Sequence, residues 1–307
     1  MSTPLLWIGF NFFVLLAISL DLGILHRKPR AIGLREAALW SLAWVCLSIA
    51  FGLGLRFWSS PEASLSFFTG YLIEKALSID NLFLFLVIFR TFQVHERFQH
   101  RILAWGIFGA LLMRGAMIAA GAALVSRYSW VMYVFGAFLV YAGLHLIFAK
   151  EQKKKIDPKE HSIFRFAARH LRVTKEFQGQ KFFVKQEGLL FATPLLLVLL
   201  IVEITDVTLA VDSIPAIFGI TRDAFIVYTS NVFAILGLRA MYFLLKGMLD
   251  RLRYLDEGLA AVLIFIGGKM LAEKWVHIPI GVSLGAVGGM LLMALLASFW
   301  ANPKTAT

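Results

Sequence analysis

Cysteine occurs once in the chain, as Cys46 inside an apolar run. That excludes an internal disulfide framework and any zinc or iron–sulfur centre built on cysteines. Thiol redox chemistry is therefore not expected. Histidine pairs and the His-Glu-x-x-His motif are also missing from the apolar runs, which removes the usual zinc-hydrolase arrangement. Charge is scarce: only 16% of residues are charged, and 19 are acidic against 30 basic. No stretch is of low complexity, and none of the polar segments is long enough for a second soluble domain.

What is abundant is apolar sequence. The chain is 59% hydrophobic with a mean hydropathy of +0.77, well above the roughly 45–50% apolar content of soluble domains. It reads as an integral membrane protein of the all-α class, one transmembrane domain over 1–307. Runs of about 20 apolar residues lie near 5–25, 34–57, 66–89, 102–125, 130–149, 189–219, 224–245, 257–273 and 278–300. The first run has no basic residue before it and no small-residue cleavage site after it, so it is a retained helix rather than a signal peptide.

The net charge of +11 does not point to nucleic acid, because the basic residues sit between the apolar runs, where membrane topology places them. The segments after runs 1, 3, 5, 7 and 9 carry 22 of the 30 Lys and Arg, whereas those after runs 2, 4, 6 and 8 carry only Arg56, Arg127, Arg222 and Lys274. Nine crossings follow, with the N-terminus outside and the C-terminus in the cytoplasm. The loop 150–188 holds many of the bases and contains Ile163, Phe164, Ala167 and Leu171 beside Arg165, Arg169 and Arg172. It is either an amphipathic helix on the inner surface or a solvated basic linker.

An internal repeat emerges when Asp80 is set on Asp212. "EKALSIDN" then aligns with "DVTLAVDS", and Glu74 falls on Asp206. The alignment extends to "GALLMRGAM" with "AILGLRAMY", pairing Arg114 with Arg239, and to "FLVYAGLHL" with "VLIFIGGKM", pairing His145 with Lys269. Spans 3–5 (66–149) thus repeat as spans 6–8 (189–273). Three is odd, so the two units cross the membrane in opposite senses, which is the inverted repeat of many secondary transporters.

Six acids fall within the spans away from the outermost residues of their ends: Asp21, Glu74, Asp80, Glu203, Asp206 and Asp212. Each costs about 2.5–3.5 kcal/mol at the bilayer centre on insertion scales. The intramembrane bases Lys75, Arg114, Arg239 and Lys269 would pair with four of them and hold helices together, leaving two acids, a charge suited to one divalent cation or two protons. On a straight helix, positions six apart are separated by about 9 Å along the axis and about 120° around it. The acids of span 3 must therefore meet those of span 6. Glu74 and Asp206 are expected near the midplane, with Asp80 and Asp212 to either side.

Pro215 should kink or unwind "VDSIP" and free carbonyl ligands beside Asp212. Carboxylates, with the oxygens of Asn81, Thr205, Thr208, Ser213 and Asn231, form a hard donor set that selects magnesium, calcium or manganese. The expected metal ligands are Glu74, Asp80, Asn81, Glu203, Asp206 and Asp212. His145, Met113 and Met241 are expected to pack, and Gly281, Gly285 and Gly289 to allow close helix approach.

"FFTGYLIEKALSIDN" and "FATPLLLVLLIVEITDVTLAVDSIPAIFGITRDAFIVYTSNVFAILGLRAMYFLL" resemble the TerC/Alx family of membrane proteins over nearly the whole chain. "TPLLW" and "HIPIGVSLG" bring it nearer the Alx-type members. The resemblance implies manganese efflux across the bacterial inner membrane, a fold related to the LysE superfamily, and acidic motifs at Glu74, Asp80, Glu203, Asp206 and Asp212, with "SLDL" supplying Asp21. The expected function is secondary transport of a divalent cation by proton exchange, with Glu203 a ligand or the proton carrier. Arg114 and Arg239 would hold the carboxylates between cycles. The expected partners are the ion, protons and the bilayer, with no resident cofactor and no enzymatic activity. An intramembrane aspartyl hydrolase lacks its Gly-x-Gly-Asp signature here. The remaining alternative is a non-transporting membrane partner in metal handling or tellurium resistance.

Overall fold

The computed structural model describes residues 4–25, 33–148, 173–174, 176–186, 189–246, 254–276 and 278–301, and within them not the side chains of residues 21–25, 80 and 83. The surface helix considered for 160–172 lies outside the described residues. Among the described residues ten helices and one hairpin follow in order: α1 Pro4–Leu25, α2 Leu34–Trp58, α3 Pro61–Thr91, α4 Glu96–Arg127, α5 Val131–Phe148, β1 Phe183–Gln186, β2 Leu189–Ala192, α6 Pro194–Phe218, α7 Ala224–Ile235, α8 Leu238–Leu245, α9 Leu255–Ala272 and α10 Ile280–Trp300. Five of them, α2, α4, α5, α6 and α10, are long and apolar enough to cross a bilayer, and the bent α7–α8 pair makes a sixth. The protein is an all-α membrane protein.

Local chemistry sets several boundaries. Ser60 caps α3 by accepting from the Ala63 N–H at 3.1 Å, with Pro61 in the first turn, where its missing N–H costs nothing. Asp223 caps α7, accepting from Phe225 and Ile226 N–H at 2.9 and 3.4 Å.

Two expectations need correction. Leu189–Ala192 is not the start of a helix but a strand, paired antiparallel with Phe183–Gln186; Pro194 begins the helix only after it. Of the kink or unwinding expected at Pro215, the unwinding does not occur: α6 runs on through it to Phe218. The break falls instead between α7 and α8, which are bent by 42°. Gly237 there has φ +82°, a conformation glycine adopts without penalty. A Cβ on Gly237 would also lie 2.7 Å from the Trp44 ring of α2.

Helices α3 and α6 run antiparallel, with Gly70 against Ile217 at one end and Asn81 near Asp206 at the other. Helices α5 and α9 are likewise antiparallel, with Gly136 on Gly267 and Gly143 on Ala260. Helix α4 packs on α6, and α7 on α3. Three apolar clusters fill the interior: one around Ile73, Ile214 and Ile266, one around Leu82, Val202 and Tyr242, and one around Phe67, Ala110 and Phe233.

The α5–α9 crossing gives a stability test. A methyl on Gly267 would stand 2.6 Å from the Gly136 carbonyl, whereas Gly268 has open space. Gly267→Ala should destabilise by about 1–3 kcal/mol in thermal unfolding of the detergent-solubilised protein, and Gly268→Ala should leave it unchanged or slightly more stable.

Candidate functional site

Where the three apolar clusters meet, the interior holds a polar network centred on Arg114 of α4. Its guanidinium grips Asp206 of α6 through two parallel bonds, Nε to Oδ2 at 3.1 Å and Nη2 to Oδ1 at 3.0 Å. Nη1 donates to Glu74 Oε1 of α3 and, at 3.3 Å, to Asn231 Oδ1 of α7. Asn231 Nδ2 closes the ring by donating to Glu74 Oε2 at 3.0 Å. Glu74 and Asn231 are fully buried, Arg114 is 2% exposed and Asp206 7%. Bidentate arginine–carboxylate pairs are the strongest neutralisation available to a buried acid. One guanidinium against two carboxylates still leaves a formal negative charge.

Glu203 sits one turn before Asp206 and is half-buried. Its carboxylate lies in a notch on α4 made by Gly106 and Gly109: a Cβ on Gly109 would collide with it. Glu203 and Asp206 together line a cavity of about 20 Å³ walled by Phe85, Leu103 and Ile235. A single water-sized occupant needs roughly 10–15 Å³, so the space admits one such species beside two carboxylates.

The expected acids are not all gathered here. Asp212 is half-buried and within electrostatic reach of His145 of α5 rather than Arg114. His145 is exposed and its ring lies 5.9 Å from that of Tyr141. The side chains of Asp80 and Asp21 lie outside the described residues. Asn81 is buried, its Nδ2 3.5 Å from Asp206 Oδ1. Thr205 and Thr208 bond the carbonyls of Ile201 and Ile204 on their own helix, at 2.7 and 2.9 Å. Among the described residues no three His, Cys, Asp or Glu side chains are close enough together to hold a metal ion. The reason is plain at the centre, where Arg114 itself stands between Glu74 and Asp206.

Two intramembrane bases find oxygens other than carboxylates. Lys75 Nζ donates to the Ala234 carbonyl at 3.1 Å, near the end of α7 where the break interrupts the backbone ladder. Lys269 Nζ donates to Ser283 Oγ at 2.9 Å. Arg239 is buried in α8 and feels His100 of α4. Sequence reasoning included Asn231 only as one possible oxygen donor and missed the Gly109 notch. A signal for the notch existed: "WGIFGALL" places two glycines three apart on the helix that carries Arg114.

Helices, apolar exterior and a buried charge network together define a polytopic integral membrane protein built around intramembrane ionisable groups. Residues 59–306 match the family described as "Integral membrane protein TerC family", and the chain belongs to that family. It is 47% identical over 313 residues to the Alx protein of Escherichia coli K12, covering 98% of this chain and 96% of that one. It is 46% identical over 315 residues to the Alx protein of Photorhabdus laumondii, covering 100% and 98%. Both relatives are named as candidate membrane-bound redox modulators. An uncharacterized membrane protein of Myxococcus xanthus, STKORF319, is 46% identical over 297 residues, covering 97% of this chain and 92% of that one. No solved structure matches the chain. Neither the family description nor these names indicate a catalytic activity.

Removing the guanidinium strands two buried carboxylates. Arg114→Met should lower stability by about 3–5 kcal/mol, read by thermal unfolding in detergent. Adding Glu74→Gln and Asp206→Asn to that variant should recover most of the loss, because the three groups act as one unit.

Proposed function

We propose that this chain is a secondary transporter that exports a divalent cation, Mn2+ foremost, from the cytoplasm in exchange for protons. The observation that carries the reading is the Glu74–Arg114–Asp206 network: one carboxylate from each repeat, on antiparallel helices, shares a single buried cation that belongs to the protein. A transported cation is neutralised by the same carboxylates once Arg114 withdraws. The interior then never holds two bare acids, and the empty site stays closed by its own counter-ion. The exchange of helix partners, α4 on α6 and α7 on α3, supports the inverted repeat.

In this reading Glu74, Asp206, Asp80 and Asp212 are the principal ligands, with Asn81 adding an amide oxygen. Glu203 is a ligand or the proton carrier, since it shares the small cavity with Asp206. An all-oxygen donor set favours manganese, calcium or magnesium over copper or zinc; the choice of manganese rests on the family likeness. The excess of bases after runs 1, 3, 5, 7 and 9 supports an N-terminus outside and a C-terminus in the cytoplasm, and the bacterial inner membrane, like the choice of manganese, rests on the family likeness.

Cytoplasmic manganese in cells lacking their own exporter tests the proposal. Wild type should lower it, and an imposed inward proton gradient should speed efflux from loaded vesicles. Asp206→Asn, Asp80→Asn and Asp212→Asn should abolish export while remaining in the membrane, and Glu203→Gln should remove the proton dependence. Unimpaired export by all three aspartate variants would show that the site is wrong. Transport of Ca2+ in place of Mn2+ would keep the site and change the cargo. Vesicles that move no ion, from cells whose metal handling still depends on the protein, would favour the non-transporting partner. The relatives' names point to redox, yet Cys46 is the sole cysteine and is exposed on α2; Cys46→Ser should export manganese as wild type does.

A further inference from the structure

Away from the central network, a cleft of about 170 Å³ opens at the end of the bundle where α5, α6, α9 and α10 approach one another. Two cationic side chains line it: Arg222, in the α6–α7 connection, and Lys269, in the last turn of α9. Lys269 Nζ donates to Ser283 Oγ at 2.9 Å. Arg222 Nη2 reaches both oxygens of Glu273, at 3.2 and 3.3 Å. Glu273 is the only carboxylate among the described residues that line the cleft, so the lining carries a net positive charge. Thr221 adds a hydroxyl, and the apolar walls include Met132, Ile278 and Ile280.

The location makes this pairing of cations informative. The four connections at this end carry few bases, so two cations in one cleft do not follow from general basicity. Exposed rings stand beside it: Trp130 precedes Met132 by two residues, and Trp275 adjoins the lining residue Val276, 60% and 78% exposed respectively. Tryptophan collects at the depth of lipid headgroups. The cleft therefore sits at the level of membrane phosphates. A guanidinium and an ammonium lining one cleft with a hydroxyl are the donor types that recognise a phosphate oxygen cluster, and apolar walls suit the glycerol and first methylenes of a lipid better than a free anion.

We propose that this cleft binds one phosphate group, that of an anionic phospholipid headgroup, with Lys269 and Arg222 as donors and Glu273 as a competing carboxylate that weakens the hold. The site is independent of the central network and of transport. A structural clasp between the α6–α7 connection and α9 would use the same three side chains, and the sign of one substitution separates the two. Replacing Glu273 removes the competitor and strengthens phosphate binding, whereas it breaks a clasp.

The test uses the full chain, with phosphatidylglycerol and phosphatidylcholine adducts compared by native mass spectrometry. Wild type should retain phosphatidylglycerol in preference. Lys269→Gln and, separately, Arg222→Gln on the exposed connection should lower that retention by about tenfold, while Glu273→Gln raises it. Inorganic phosphate titrated into protein held in phosphatidylcholine nanodiscs, followed by tryptophan fluorescence, supplies the second arm. Saturable phosphate binding lost in Lys269→Gln, without preference for phosphatidylglycerol, would keep the phosphate site and overturn its assignment to a lipid. No preference for either ligand overturns the proposal, and so does equal loss in Glu273→Gln and Lys269→Gln.

Discussion

A guanidinium presents five N–H donors and keeps its charge at any accessible pH, so placing Arg114 in the interior obliges the surrounding helices to bring acceptors to it. Glu74, Asp206 and Asn231 do so from α3, α6 and α7. That demand fixes how these helices are rotated and where they stand along one another. Small residues make the approach possible: Gly70 lets α3 come close to Ser230 and Ile217, and Gly109 makes room for Glu203. The apolar clusters then pack around the network from three sides and keep water from competing for its bonds.

The same constraint shapes the weaker parts of the bundle. The interruption at Leu236 and Gly237 would leave polar backbone groups exposed to an apolar environment, where each unsatisfied group costs several kcal/mol. Lys75, the neighbour of Glu74, answers this at the Ala234 carbonyl. A charged side chain and a broken helix thus compensate one another. The break also lies within two turns of Asn231, so the helix that completes the ring around Glu74 is the one whose continuation bends away. On the transport reading, a cation entering the network competes with Arg114 at the place where the backbone is least regular.

Much of this was legible beforehand, and the misses have identifiable causes. The acids of spans 3 and 6 were expected to meet because neither helix can turn two carboxylates six positions apart toward one point. Glu74 and Asp206 do share Arg114, while Asp212 is only within electrostatic reach of His145. Leu189–Ala192 reads as the start of a helix because apolar runs look alike until a partner strand is known; Phe183–Gln186 supplies it. Pro215 predicts a kink or an unwound turn in α6; the turn is not unwound, because a proline removes one donor and the rest of the ladder closes around it. The requirement for glycine at 237 has no local signal, since nothing in the neighbouring sequence shows that the Trp44 ring occupies the space a side chain would need.

By itself the sequence determined what the bilayer enforces: apolar runs, the asymmetry of Lys and Arg around them, and acids retained in spans at a cost in free energy. These are properties of composition and spacing, and they survive without knowing which helices touch. Only the tertiary structure decided which acids share a counter-ion, because three of the four elements around Arg114 are distant from it in sequence and their rotation depends on packing. It also decided that Lys75 turns to a carbonyl and Lys269 to a hydroxyl rather than to carboxylates. Such partners are chosen by proximity within a few ångströms, a quantity that helical periodicity cannot supply.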